Sequence, residues 1–264
     1  MNFLPGLQNI FLRAGIFISK KQTSESVSDL LDIVWPLKTE KSLIRIGSET
    51  SADGGYLVPD DLQDIDRVFS PGVAETMEFE QYFLDRGVPC EMLDGSVDSA
   101  PRSHPLATFK KLWLSASTVD GSISLDDWVQ QASLPAEELV LQMDIEGAEY
   151  EVLLAAAPET LRRFRVVVLE LHDLRSVMSR TGLMLFKTLM KKLKVTHEIV
   201  HAHPNNCCPG VMKEDLEWPD VLELTFLNRN RFSSTFGPAD LPHPLDRDNT
   251  PQKPIVLRRA AQRD

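Results

Sequence analysis

Hydrophobic and polar positions follow two rhythms along this chain, and the switches between them lay out its elements. SESVSDLLDIVW (24–35) repeats at helical spacing behind a serine, which predicts an amphipathic helix. Between residues 44 and 62, Asp53-Gly54-Gly55-Tyr56 places turn chemistry between two short strand-like runs. Strands and helices then take turns. DRVFSPG (66–72), PCEMLDGS (89–96), FKKLWLSAS (109–117), LVLQMD (139–144), RVVVLELH (165–172), THEIVHAH (196–203) and VLELTFLNR (221–229) read as strands. ETMEFEQYFLDRG (75–87), SLDDWVQQAS (124–133), residues 147–156 and MLFKTLMKKLK (184–194) read as helices. RVVVLELH is nearly continuous apolar and β-branched, the pattern of a strand buried on both faces.

Seven strands alternating with helices predict a mostly parallel, doubly wound sheet. No helical run separates the last two strands. A parallel pair needs a crossover and an antiparallel pair does not, so one antiparallel strand is expected at the end of the sheet. The division that follows is a helical extension over 1–43, an α/β domain over 44–231, and an irregular, partly mobile tail over 232–264. The first residues carry a helical stripe of Phe3, Leu4, Leu7, Ile10, Phe11, Ala14 and Ile18, with Arg13, Lys20 and Lys21 beside it. Such a helix packs on its own domain, joins a second copy in a homo-oligomer, or lies on a membrane surface as a peripheral contact.

Composition narrows the function. A formal net charge of -11 argues against a general nucleic-acid binder, so nucleic acid is not an expected partner. No apolar run reaches the roughly 18 residues of a membrane span, and the N-terminus lacks a basic leader region and a cleavage site. Three cysteines, two of them adjacent, make no disulfide framework, which points to a reducing, cytoplasmic setting.

Polar groups gather where the strands end. Ser70-Pro71-Gly72 closes the first, Asp94 the second, and Asp144 and Glu146 the fourth. Glu170, His172 and Asp173 close the fifth, and His201, His203, Asn205 and Asn206 the sixth. In open α/β sheets ligands bind outside these carboxyl ends. Asp94 follows Gly72 by 22 residues, a spacing at which a strand-end acid accepts from ribose hydroxyls; an acid before glycine also serves as a plain turn residue. The first turn lacks G-x-G-x-x-G, which disfavours a nicotinamide-dependent enzyme.

LVLQMDIEGAEYEVLLAA (139–156) closely resembles the hallmark of the FkbM-type S-adenosylmethionine-dependent methyltransferases, a strand ending in Asp-(Ile/Val)-Glu-Gly-(Ala/Thr)-Glu. VFSPGVAETMEFEQYFLDRGVPCEMLDGS, DGGYLVPD and VVVLELH are similar to other segments of that family, in order, over roughly residues 44–230. The single glycine of the first turn departs from the Asp-x-Gly-x-x-Gly of many methyltransferases.

The resemblance implies a Rossmann-like class I methyltransferase fold and S-adenosylmethionine as cofactor. It also implies a sugar, glycolipid or secondary-metabolite hydroxyl as acceptor. A non-catalytic module that keeps the fold as a scaffold is the alternative, motivated by the degenerate turn.

On the same basis Gly72 lets the backbone approach the cofactor and Asp94 holds its ribose. Ser117 to Asp120 border the adenine, and Gly54, Gly55 and Tyr56 form a lid, a wall or a structural hairpin. Glu80 is a cofactor contact or a solvated helix acid. Asp144 binds the acceptor hydroxyl, orients a base or binds a metal, and Gly147 clears space beside it. Glu146 and Glu149 suit the helix N-terminus electrostatically. His172 is a candidate general base. Asp144, His172 and His203 are candidate ligands for Mg²⁺ or Mn²⁺, with Asn205 or Asn206 adding an oxygen. Cys207 and Cys208, being adjacent, chelate one zinc ion poorly.

Overall fold

The structure, a computed structural model, describes residues 24–48, 54–213, 216–234 and 237–258. The N-terminal stripe and Asp53 lie outside these residues. A hairpin of β1 (Leu43–Gly47) and β2 (Gly55–Pro59) precedes the main sheet. Then come β3 (Arg67–Pro71), β4 (Cys90–Leu93) and β5 (Ala107–Lys110). A short parallel pair follows, β6 (Trp113–Ser115) with β7 (Ser122–Ser124). Next are β8 (Leu139–Met143), β9 (Phe164–Leu171) and β10 (His197–Asn205). A small antiparallel pair, β11 (Val211–Lys213) and β12 (Leu216–Trp218), leads into β13 (Val221–Asn228). The helices are α1 (Ser24–Val34), α2 (Glu78–Leu84), α3 (Leu125–Ala132), α4 (Glu149–Ala155), α5 (Pro158–Arg162) and α6 (Arg180–Leu193).

The seven-stranded sheet runs β10-β13-β9-β8-β3-β4-β5, and only β13 is antiparallel to its neighbours. Successive residues of one strand enter different cores, as the period of two requires. Leu139, Leu141 and Met143 of β8, with Val167, Leu169 and Leu171 of β9, pack under α1, α3, α4 and α6. Val140, Val166 and Val168 face α2 and the hairpin. The β9 run is apolar because both faces are covered.

Three expectations are corrected. The antiparallel strand is not at the sheet's end: β13 lies between β9 and β10. Helix α6 carries the chain over to β10 one place too far, and β13 fills the gap with both of its edges paired. The third sheet strand is Ala107–Lys110, so most of the 109–117 run lies outside the sheet, partly as β6. Helix α6 starts four residues before the expected 184 because the Ser179 hydroxyl accepts from the Gly182 N–H at 3.0 Å. The serine cap read at 124 is present, accepting from the Asp127 N–H at 3.2 Å.

The described tail, 237–258, is irregular yet packed. Ile255 and Leu257 are buried, and Trp35 Nε1 donates to the Ala239 carbonyl at 2.9 Å. Among the described residues no helix is long and apolar enough to cross a membrane.

Candidate active site

The strand order reverses between β3 and β8, and the carboxyl ends there open into a cavity of about 600 Å³. Gly72 makes the corner possible. Its φ is +85°, and a Cβ on it would lie 1.6 Å from the Asp144 carbonyl oxygen. The turn after β3 therefore packs directly on the turn after β8, and a side chain would drive them apart. The turn after β8 is strained at Glu146, with φ +56°, while Gly147, at +104°, takes a backbone conformation open to glycine.

Glu149 holds that turn together. It is fully buried and accepts from the Ile145 N–H at 3.1 Å and the Gly147 N–H at 3.1 Å. The same carboxylate lies 3.0 Å from His172 Nδ1. This fixes the imidazole with Nε2 on its other side, 3.7 Å from both Asp144 Oδ1 and Glu146 Oε2. Asp144 Oδ1 is buried with no hydrogen-bond partner. Burial, then the Glu170 charge, pushes the Asp144 carboxyl up to about 8. Burial alone would lower His172. The hydrogen bond and charge of Glu149, followed by Asp144 and Glu170, outweigh it and push the imidazole up to about 9.

The hairpin forms one wall, where Gly54 and Tyr56 line the cavity and Gly55 packs against Arg45 instead. Tyr56 donates its hydroxyl to Glu170 Oε2 at 3.2 Å, and Asn205 Nδ2 donates to Glu170 Oε1 at 2.6 Å. Gln142 Nε2 reaches the Tyr56 hydroxyl at 3.4 Å while its carbonyl accepts from Ser70 at 2.7 Å. Ser70 also bonds Glu80, which is buried rather than solvated. Gln142, Asn249 and Thr250 are lining residues that the sequence reading did not single out. Gln142 left a trace, as the one polar residue inside an apolar run; the other two left none.

Asp94 lies beside the Gly72 turn, buried. It accepts from the Ala74 N–H at 2.9 Å, the Ser96 N–H at 2.8 Å and the Ser96 hydroxyl at 2.6 Å. Burial opposes its ionisation, but these donors hold it below the usual carboxylate range. Next to it, Trp113 is 58% exposed and its indole covers Gly95, where a Cβ would lie 2.3 Å from the ring. Ser117 and Asp120 sit on the exposed β6–β7 connection, apart from the cavity lining.

The structure does not bring His203 to Asp144 and His172. It sits on β10, two strands from β9, with Nδ1 3.6 Å from Asp246 Oδ2, and His201 Nε2 lies 2.9 Å from Asp246 Oδ1. Cys207 and Cys208 line the cavity with their sulfurs 3.5 Å apart. One ligand atom each from Asp144, Glu149 and His172 lies within 4.8 Å of the others. Asp144 and Glu149, however, face different nitrogens of one imidazole, and Glu149 is already engaged by backbone N–H groups. Glu149 orients the ring through Nδ1 and leaves Nε2 facing Asp144 and Glu146, an arrangement that serves proton transfer at Nε2 and equally an oriented metal ligand.

The family model described as the methyltransferase FkbM domain matches residues 118–197, which contain β8, the Asp144–Glu149 turn and β9. No curated protein matches the chain in sequence. Among solved structures, a fibrillarin/Nop5p complex aligns at 13% identity and TM-score 0.40, covering 63% of this chain and 74% of that one. The Methanococcus jannaschii fibrillarin pre-rRNA processing protein aligns at 8% identity and TM-score 0.38, covering 72% and 83%. The sheet described above is a doubly wound α/β sheet, parallel except for β13.

Proposed function

We propose that this chain, a methyltransferase carrying the FkbM domain pattern, moves a methyl group from S-adenosylmethionine to a hydroxyl oxygen at Asp144. The orphaned, buried Asp144 Oδ1 beside the Glu149–His172 pair is the observation that supports this most strongly. When bound, the cofactor supplies a methyl group on a sulfonium centre. Asp144 Oδ1 accepts the hydrogen bond of the acceptor hydroxyl and aligns its oxygen for in-line attack. Asp144, in its carboxylate form, would take the hydroxyl proton as the acceptor oxygen is methylated, with His172 beside it. With its carboxyl pushed up to about 8, Asp144 gains its proton-accepting form as pH rises through that value, so transfer should rise with it. Glu149 keeps the imidazole in place and stabilises its positive charge. No metal is needed in this scheme.

The residues present fit the cofactor. A carboxylate-rich cavity favours its sulfonium and ammonium charges. The exposed Trp113 face beside Asp94 suits a purine ring, and the Asp94 carboxylate, at the end of β4, suits a ribose hydroxyl. The resemblance favours a sugar, glycolipid or secondary-metabolite acceptor, and unpaired cysteines favour a reducing compartment.

Calorimetric titration of the full chain with S-adenosylhomocysteine, S-adenosylmethionine and NAD tests the first step. Binding of the two adenosyl compounds and not NAD is expected; binding of none leaves the scaffold alternative. Asp144→Asn should retain S-adenosylhomocysteine affinity and lose transfer of labelled methyl groups into a metabolite extract. Full transfer by that variant defeats the assignment.

A further inference from the structure

The lining of the cavity limits what else can enter it. Among the described lining residues six bear carboxyls, Glu75, Glu78, Glu80, Asp144, Glu146 and Glu170. The one basic side chain is His172; no lysine or arginine is among them, in a chain that has 28. Sites for phosphate or carboxylate are built from Arg, Lys or free backbone N–H groups. Here the N–H groups of Ile145 and Gly147, at the turn facing the cavity, are already taken by Glu149.

A second feature comes from the far end of the chain. Asn249 and Thr250 line the cavity from an irregular strap. The strap is firmly seated. The Thr250 N–H donates to Asn206 Oδ1 at 2.8 Å, and Asn206 Nδ2 donates to the Thr250 and Gln252 carbonyls at 3.0 Å each. Asp246, three residues before Asn249, is held by His201 and His203. Asn249 donates Nδ2 to Glu223 Oε1 at 2.8 Å, which orients its amide, and Asn249 Oδ1 is left buried without a partner. A buried acceptor of this kind calls for a donor from whatever fills the space beside it.

Resting on the methyl-transfer reading, we propose that the acceptor is a neutral or cationic molecule that presents an O–H or N–H donor to Asn249 Oδ1. Phosphorylated, sulfated and other anionic acceptors are disfavoured because the carboxyls of the lining outnumber its one basic side chain. Asn249 is then a specificity-determining residue outside the family-matched segment.

The cavity carries its own reporter. Cys207 is exposed and lines it with Cys208, whereas Cys90 is buried. The full chain is treated with cationic trimethylammonioethyl and anionic sulfonatoethyl methanethiosulfonate, each rate divided by that on free 2-mercaptoethanol. The cation should react about tenfold faster or more at low salt, and the ratio should shrink in high salt and in Glu146→Gln. A ratio of one, or preference for the anion, overturns the proposal.

A second arm follows labelled methyl groups from S-adenosylmethionine into a metabolite extract. Label in neutral or cation-exchange fractions supports the proposal, and label retained on an anion exchanger overturns it. Asn249→Ala should lower incorporation about tenfold with S-adenosylhomocysteine affinity unchanged; equal incorporation removes Asn249. A chain that binds no S-adenosylhomocysteine defeats the methyl-transfer reading instead, and the thiol ratio still reports the charge of the cavity.

Discussion

Replacing Glu149 by glutamine keeps the shape of the side chain under His172 and removes its charge. The imidazole is pushed from an ordinary 6.5 up to about 9, with burial pulling the other way and Glu149 as the leading favourable cause. At 1.36 kcal/mol per pKa unit, that displacement corresponds to about 3 kcal/mol of preference for the charged ring. Asp144 and Glu170 supply the smaller favourable parts, so the glutamine variant should lose at least about a third of it, a fall of about 0.8 unit or more. The amide also turns an N–H group toward either Nδ1 or the backbone donors that Glu149 now satisfies.

Two measurements follow. The His172 C2 proton, assigned by its loss in His172→Asn, should titrate near 9 in the parent and clearly lower in Glu149→Gln. The second is urea unfolding. A histidine with a raised folded pKa contributes stability that is full below its unfolded pKa, about 6.5, and is lost as pH rises through about 9. The parent should therefore weaken between pH 6.5 and 9.5, and the variant should weaken less across that window. An unchanged His172 midpoint in a folded Glu149→Gln protein would refute the view that Glu149 sets the charge of the imidazole.

Other consequences are simpler to check. Asp94→Ala should weaken S-adenosylhomocysteine binding tenfold to a hundredfold, about 1.5–3 kcal/mol for a lost charge-assisted hydrogen bond; unchanged affinity in calorimetry removes it from the ribose site. Gly72→Ala should cost about 3 kcal/mol or more in urea unfolding, from a left-handed backbone and a Cβ aimed at the Asp144 carbonyl; a near-neutral result argues that the two turns do not touch. EDTA should leave methyl transfer intact, while loss restored by Mg²⁺ or Mn²⁺ would install a metal at the Asp144 site. Asp246→Ala should expose residues 237–258 to limited proteolysis by removing a buried hydrogen bond with His201 and an ion pair with His203; an uncut strap would show that its other contacts suffice.

Period and local chemistry were enough to read most of the elements from the chain alone. The continuous apolar run of β9 announced burial on both faces, and Ser124 announced the start of α3. Asp144-Ile-Glu-Gly announced a turn at the carboxyl edge, since all its determinants lie within a few residues. Other features depend on partners far away in sequence. Glu149 suits a helix N-terminus by position, yet its partner His172 is 23 residues on and is brought in by β9. His203 reads like a third ligand at a strand end, but β13 enters between β9 and β10 and turns it over to Asp246. Asn249 sits in a stretch with no periodicity at all and reaches the cavity only because Asn206 and Asp246 anchor the strap. Hydrophobic spacing records which face of an element is covered. It does not record which strand lies alongside, because many strand orders bury the same stripes equally well. Pairings across the sheet, and the site they assemble, are decided only when the crossovers are packed.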